Sequence, residues 1–305
     1  MTCHRSPARS LPTPRGGRRR RALAVGVTVV ALLAVTALRP GAAGAATVIE
    51  AAYAAPGSWA VTHETIAGPG GATAYEVFRP TNLGAGGVRH PIVTWGNGSN
   101  AVPAQYAGLL THLASWGYVV IASTSTTTGT GTEILAGAQL LVTADTTPGS
   151  PYQGKLDTAH VAAVGHSQGA GGSVRATQHS GGLITTTVPI NLPNRLWVSP
   201  GDEYEPSQLT DPVLFLTGGL DLLIAGPLTM NGFYAEVPGA AAKGAVRFAG
   251  HNEVQGDGGR FRGYITAWLR YQLSGDATAR AAFAGSSPEM NGNSGWAWQA
   301  QKNLP

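Results

Sequence analysis

The feature that most constrains this chain is a set of short, fully apolar segments that alternate with stretches of helical character. Residues 118–122 and 161–164 have no polar face. A strand that is apolar on both sides needs cover on both sides, which is the environment of a parallel sheet between two layers of helices. The chain has 305 residues, enough for one large domain of this kind or for two small ones.

The alternation extends over most of the chain. Two β-like runs at 58–66 and 73–78 flank a glycine-rich turn at 68–71, which predicts an antiparallel hairpin at one edge of the sheet. Further strands are predicted at 91–95, 118–122, 161–164, 213–217 and 245–248, and helices at 104–115, 132–142, 168–178 and 261–273. We therefore predict one α/β domain, with a mostly parallel central sheet and helices on both faces.

The first 45 residues have the organisation of an export signal. A basic start precedes an apolar run at 22–38, and small residues at 43–45 offer a cleavage site. We predict a signal peptide over 1–45, a mature domain over 46–305, secretion, and no stable membrane anchor. The alternative is an anchor, for which the apolar run is at the short limit.

The charge of the chain is divided between these two parts. Eight of the 20 basic residues and none of the 16 acidic ones precede residue 46, so the mature domain has a net charge of −4. This excludes the basic surface that nucleic-acid binding needs. The only cysteine, Cys3, is in the signal, which excludes thiol chemistry, zinc–thiolate sites and disulfides from the mature domain.

One segment has the pattern of an activated nucleophile. Gly165-His166-Ser167-Gln168-Gly169 matches G-x-S-x-G, directly after an apolar strand and before a helical stretch. That chemistry requires a sharp strand-to-helix turn that raises the serine oxygen above the sheet. The alternative is an ordinary glycine-rich turn, but the order of strand, turn and helix favours Ser167 as a nucleophile.

A serine nucleophile needs a base, and two histidines follow Ser167 in the chain. His179 falls at the end of the helix after the nucleophile, so its ring is badly placed to return. His251 follows the predicted strand 245–248, in the kind of loop where catalytic groups of open α/β sheets gather. We predict His251 as the base, the alternative being a surface histidine.

The base needs an orienting carboxylate. Asp221 follows the predicted strand 213–217 and is flanked by leucines, and a carboxylate in apolar surroundings is costly without a partner. We predict Asp221 as the acid, and Asp257, close to His251 in sequence, is a weaker competitor. Other acidic residues are predicted to be solvated or at the wrong end of the strand, namely Asp202, Glu203, Glu205 and Asp211.

Two backbone N–H groups must stabilise the oxyanion of the reaction. One is expected from Gln168, after the nucleophile, and the second from the loop after strand 91–95. We favour Ser99 as the second donor, with Asn97 as the alternative. Asn97 also begins a formal glycosylation sequon, which we interpret as accidental because a glycan would block the site.

These segments together resemble the bacterial cutinase-like polyester hydrolases and related secreted lipases of the α/β-hydrolase fold. The resemblance extends from about residue 54 to about residue 283. It rests on the approach to the nucleophile, the acid-bearing segment, the histidine turn and the final helix, which are 157–172, 216–221, 250–251 and 267–269. It implies hydrolysis of carboxylic esters by Ser167, Asp221 and His251.

The sequence departs from that family around the substrate pocket. Gln168 replaces a methionine, Ser99 replaces an aromatic oxyanion donor, and the tryptophan expected after Val188-Pro189 is absent. The cysteine that the family has after Phe283 is also absent. The resemblance therefore does not extend to polyester specificity. We take Asn97, Leu192 and Trp197 as candidate substrate-binding residues.

We therefore predict a secreted serine esterase of the α/β-hydrolase fold that acts through an acyl-enzyme on a small-molecule or polymeric ester. No metal or cofactor is implied, and we expect a monomer. One alternative is acyl transfer or amide hydrolysis by the same residues. Another is a catalytically inactive hydrolase fold used for binding.

Overall fold

Nine strands join in one sheet in the computed structural model, which describes Thr2, residues 47–68, Gly71 and residues 74–305. Across the sheet the strands follow the order β1-β2-β4-β3-β5-β6-β7-β8-β9. The strands are β1 Val61–Ala67, β2 Ala74–Pro80, β3 His90–Gly96, β4 Val119–Ser123, β5 Leu156–His166, β6 Thr186–Ile190, β7 Val213–Gly218, β8 Ala241–Val246 and β9 Trp296–Lys302. The six strands from β4 to β8 in this order are parallel. The predicted mostly parallel α/β sheet is confirmed.

Eight α-helices occur in the described part of the chain. They are α1 Val48–Ala54, α2 Ala107–Ser115, α3 Thr132–Thr146, α4 Gln168–Gln178, α5 Pro227–Glu236, α6 Arg262–Ser274, α7 Ala277–Arg280 and α8 Glu289–Gly292. A 3-10 turn at Pro103–Tyr106 leads into α2. Among these residues no helix combines the length and the apolar character needed to cross a bilayer.

The central strands bury both of their faces. In β3, Val93 packs into a cluster with residues of α1, α2 and α6, whereas its neighbour Ile92 packs against α3. In β7, Leu214 joins the first of these clusters and Phe215 packs with residues of α4 and α5. Because successive side chains of a strand point to opposite faces, the helices cover both sides of the sheet.

Antiparallel pairs close both edges of the sheet. β1 and β2 form the predicted hairpin at one edge, although part of its turn lies outside the described residues. At the other edge, β9 pairs antiparallel with β8. The sequence left the C-terminal tail unassigned, between covering a sheet edge and bordering the pocket, and its strand covers the edge.

One predicted strand was misplaced. The prediction at 245–248 differs from β8, which spans Ala241–Val246 and ends before Phe248, an exposed residue with a left-handed φ of 61°. Alanine, lysine and glycine, which open β8, have weak strand preferences, and pairing with β7 and β9 determines the strand instead. The predicted signal peptide at 1–45 lies outside the described residues, apart from Thr2.

Candidate active site

The turn between β5 and α4 places Ser167 in a strained backbone conformation. Ser167 has φ 54° and ψ −122°, and α4 begins at the next residue. A Cβ atom on Gly165 would lie 2.1 Å from the carbonyl oxygen of Gly169, and one on Gly169 would lie 2.2 Å from that of Gly96. Only glycine fits at these two motif positions, because the turn packs backbone against backbone.

Three side chains from separate loops meet above this turn. The Nε2 atom of His251 lies 2.9 Å from the Oγ atom of Ser167, and its Nδ1 atom lies 2.5 Å from the Oδ2 atom of Asp221. A carboxylate only accepts hydrogen bonds, so Nδ1 carries the proton and Nε2 is left to accept the hydroxyl proton of Ser167. The arrangement has the connectivity of a nucleophile, a base and an orienting acid.

Asp221 is buried, but for a different reason from the one predicted. The flanking residues Leu220, Leu222 and Leu223 are exposed, so the expected apolar surroundings of the carboxylate are wrong. The loop turns Asp221 inward, where it is 5% exposed, and the three leucines outward. The partner of the carboxylate is His251, as the sequence prediction required.

The competing residues lie elsewhere. Asp257 forms an exposed ion pair with Arg262, at 2.8 Å. His179 caps the C-terminal end of α4, the end of that helix away from Ser167. Within the described residues, no cluster of three or more His, Cys, Asp or Glu side chains could hold a metal ion.

The two residues predicted to supply oxyanion N–H groups, Gln168 and Ser99, line one pocket together with Ser167. Gln168 is the first residue of α4, where N–H groups lack partners in the helix and the helix dipole favours negative charge. Its side chain is held by a hydrogen bond from Nε2 to Oδ2 of Asp202, at 3.1 Å. Ser99 is exposed in the loop after β3 and, like Gln168 and Ser167, lines the same pocket.

This pocket has a volume of about 270 Å³. Trp197, one of the three candidate substrate-binding residues, lines it and is 60% exposed. Asn97 and Leu192 are buried outside its lining. The Asn97 amide donates to the carbonyl oxygens of Ser123 and Ser125, so it anchors the loop after β3 and is no acceptor for a glycan.

Two buried residues beside the three central side chains were missed by the sequence prediction. Asn191, at the end of β6, has a left-handed φ of 49°, donates to the carbonyl oxygen of His251 at 2.5 Å and accepts from the N–H of Gly218 at 2.8 Å. His166, within the motif, lies 2.8 Å from the same carbonyl oxygen. His166 follows the predicted strand 161–164, which was the only signal for it. No strand was predicted before Asn191, because β6 at Thr186–Ile190 was missed.

The fold and this site together define an α/β-hydrolase. The sequence profile of the PET hydrolase-like family matches residues 34–297. A curated relative, the bis(hydroxyethyl) terephthalate hydrolase of Streptomyces coelicolor, is 25% identical over 289 residues, which cover 90% of this chain and 89% of the relative.

The chain belongs to the PET hydrolase-like family. This confirms the predicted resemblance to polyester hydrolases and the predicted fold, and it makes the protein a hydrolase of the ester and polyester class.

Proposed function

We propose that the protein is a serine carboxylic-ester hydrolase that works through an acyl-enzyme, with Ser167, His251 and Asp221 as the catalytic triad. The observation that carries this proposal is the continuous hydrogen-bonded line from Asp221 Oδ2 through both ring nitrogens of His251 to Ser167 Oγ. Such a line supplies a base at the nucleophile and fixes the tautomer of that base.

In the proposed reaction, His251 Nε2 takes the hydroxyl proton while Ser167 Oγ bonds to the ester carbonyl carbon. The tetrahedral intermediate collapses, the bond to the alcohol oxygen breaks, and His251 returns the proton to that oxygen. Water then attacks the acyl-enzyme with the same proton transfers and releases the carboxylic acid. Asp221 stabilises the protonated ring at each stage.

The charge on the carbonyl oxygen is assigned to the backbone N–H groups of Gln168 and Ser99. Both residues line the pocket that contains Ser167. The N-terminal end of α4 adds a favourable dipole at this point. Donors of this kind are worth on the order of 10²-fold to 10³-fold each in turnover, because they are fixed before charge develops.

The substrate is proposed to be a carboxylic ester, either soluble or part of a polymer. The relative's name specifies the hydroxyethyl ester of an aromatic acid. A pocket of about 270 Å³ with Trp197 at its edge suits one small acyl or alcohol unit at a time. Trp197 is the candidate substrate contact that this pocket supports.

A fluorophosphonate probe tests the nucleophile. We expect wild-type protein to be labelled at Ser167, as located by peptide mass spectrometry, and Ser167→Ala to lose both the label and ester turnover. Ser199→Ala is the matched control, because Ser199 lines the same pocket and, among the described residues, no histidine forms a hydrogen bond with its hydroxyl. Equal labelling of wild type and Ser167→Ala would contradict the proposal.

The same assay separates the alternatives. A catalytically inactive binding protein would remain unlabelled when folded. Amide hydrolysis by the same triad would give Ser167-dependent labelling with a faster release of acid from amides than from p-nitrophenyl esters. Acyl transfer would give the same labelling, but an acceptor alcohol would form a new ester and lower the yield of acid per p-nitrophenol released. We expect ester hydrolysis to be the fastest of these reactions.

We further propose that residues 46–305 are a secreted, monomeric catalytic domain freed from a signal peptide at 1–45. In support, the first helix of the mature domain begins at Val48, and Glu289 accepts hydrogen bonds from the N–H groups of Ile49 and Glu50, which anchors that new N-terminal region. N-terminal sequencing of the exported protein and sedimentation at equilibrium test the two statements.

A further inference from the structure

A second line of hydrogen bonds runs beneath the triad, from the loop after β3 to the backbone of His251. The N–H of Gly98 donates to the hydroxyl oxygen of Tyr106 at 3.1 Å. That hydroxyl lies 2.9 Å from His166 Nδ1, and His166 Nε2 lies 2.8 Å from the carbonyl oxygen of His251. The line therefore joins the proposed oxyanion loop to the proposed base.

The chemistry of its two ends sets the direction of every bond. A carbonyl oxygen only accepts, so His166 Nε2 must carry a proton and donate to His251. In a neutral ring Nδ1 is then an acceptor, and the hydroxyl of Tyr106 donates a hydrogen bond to it. The hydroxyl oxygen of Tyr106 in turn accepts from Gly98. No donor faces another donor, and the tautomer of His166 is determined.

Burial keeps both members of this line neutral. Tyr106 is fully buried and His166 is 1% exposed. Burial, reinforced by the nearby charge of His251 and opposed by Asp221, lowers the pKa of His166 to about 3. Burial also raises the pKa of Tyr106. A charged His166 would carry protons on both nitrogens and would lose the bond from Tyr106.

The loop that bears His251 is also tied to the turn that bears Tyr106. The N–H of Gly256 donates to the carbonyl oxygen of Gln105 at 2.7 Å, and the N–H of Leu109 donates to that of Gly256 at 3.0 Å. Tyr106 packs against Trp95 with ring centroids 4.9 Å apart. These contacts hold the hydroxyl of Tyr106 at a fixed distance from the His251 loop.

We propose that Tyr106 and His166 are positioning residues, which hold the backbone of His251 in register with Ser167 and couple it to the oxyanion loop at Gly98. This inference rests on the proposed triad. Both residues adjoin the pocket but are almost completely buried, so the proposal assigns neither a direct action on the substrate: His166 acts through the carbonyl of His251, and Tyr106 acts through His166. A displacement of the base by a fraction of an ångström is expected to lower kcat more than it raises KM, because alignment of the base matters most in the transition state.

Tyr106→Phe tests the proposal, since it removes one hydroxyl and keeps the ring against Trp95. The matched control is Tyr118→Phe, because Tyr118 is equally buried and its hydroxyl has no hydrogen-bond partner among the described residues. Active sites are counted by fluorophosphonate labelling, so turnover is compared per reactive serine and misfolded protein is excluded from the count.

We expect Tyr106→Phe to lower kcat for p-nitrophenyl butyrate about tenfold, with KM within about twofold of wild type. Tyr118→Phe should leave both constants unchanged. A loss of thermal stability in Tyr106→Phe with kcat per labelled site unchanged would overturn the inference while the triad stood. Wild-type protein without Ser167-dependent turnover would instead overturn the proposed function.

A measurement on the wild-type protein tests the tautomer without any variant. In ¹⁵N-histidine-labelled protein near pH 7, we expect His166 Nε2 to resonate as a protonated nitrogen and Nδ1 as an unprotonated one. His166→Gln supplies the resonance assignment. A protonated Nδ1 would reverse the direction of the line and overturn the proposal.

Discussion

His251 Nδ1 and Asp221 Oδ2 lie 2.5 Å apart, although 30 residues separate them in the chain. The two loops that bear them follow β8 and β7, which are adjacent parallel strands, so their carboxyl ends meet at one edge of the sheet. Asp221→Asn keeps the shape of the side chain but offers an N–H to the ring, which favours the wrong tautomer of His251. We expect kcat for a soluble ester to fall on the order of 10³-fold to 10⁴-fold.

The control for this prediction is Asp257→Asn, which changes the competing carboxylate. Asp257 pairs with Arg262 at the surface, so we expect turnover to stay within about twofold of wild type. Comparable losses in the two variants, measured as initial rates with p-nitrophenyl acetate, would contradict the assignment of the acid.

A second prediction concerns the packing of the turn that bears Ser167, the proposed nucleophile. Gly169→Ala would place a methyl group 2.2 Å from the carbonyl oxygen of Gly96, and overpacking of this kind costs at least about 1–3 kcal/mol. We expect a lower melting temperature and loss of turnover. Gly232→Ala, within α5, meets no atom within 4 Å and should be neutral or stabilising by about 0.5–1 kcal/mol. Similar melting temperatures for the two variants would show that the turn relaxes.

Local sequence was sufficient to predict those strands whose own composition determines their structure. β4 and the centre of β5 are apolar on both faces. Short runs of this kind are typical of strands in a parallel sheet that is covered on both sides. β8 and β9 are different, because Ala241–Val246 and Trp296–Lys302 become strands through pairing with each other and with β7. Such pairing is a long-range property that local pattern does not contain.

The site divides in the same way. Ser167, Asp221 and His251 could be proposed from sequence because each follows a predicted strand, and parallel strands end at one edge. The direction of a buried polar side chain was not accessible. Asn97 was expected in the pocket, but its amide donates to the carbonyl oxygen of Ser123 at the end of β4. The proposed role of His166 depends on its hydrogen bond with Tyr106, 60 residues away.

A third prediction concerns pH and His112, a buried histidine of α2. Burial and the charge of Arg262 lower its pKa from 6.5 to about 4. Between these values the unfolded chain binds a proton that the folded protein does not, so the free energy of unfolding falls as pH falls from about 6.5 to about 4. The slope from this group is at most about 1.4 kcal/mol per pH unit. His112→Gln should reduce the slope in urea unfolding measured across this range. Parallel curves for wild type and variant would contradict the prediction.

A fourth prediction concerns the C-terminal strand. Trp296 is 2% exposed and donates its Nε1–H to Glu50 Oε1 at 2.7 Å, which ties β9 to α1. We expect Trp296→Ala to lower the free energy of unfolding by about 3–5 kcal/mol. Trp298→Ala, in the same strand, removes a side chain that is 44% exposed and should cost less than about 1 kcal/mol. If chemical denaturation showed that Trp296→Ala lowers the free energy of unfolding as little as Trp298→Ala does, the tail would not be part of the cooperative fold.

The last prediction concerns Trp197 at the edge of the pocket. Its Nε1–H donates to the carbonyl oxygen of Leu223 at 3.0 Å, so the ring is held while 60% of it remains exposed. A fixed, exposed aromatic surface in the pocket of the proposed nucleophile is expected to contribute to substrate binding more than to chemistry. We expect Trp197→Ala to raise KM for p-nitrophenyl octanoate about fivefold, which corresponds to the loss of about 1 kcal/mol of contact, with kcat nearly unchanged. Trp197→Phe keeps a flat ring and should retain most of the binding.

The rise in KM caused by Trp197→Ala should be small for p-nitrophenyl acetate, because its short acyl group offers little surface for the ring to contact. An equal fall in kcat with both esters would instead indicate that Trp197 supports the loop that bears Asp221, through its hydrogen bond to Leu223.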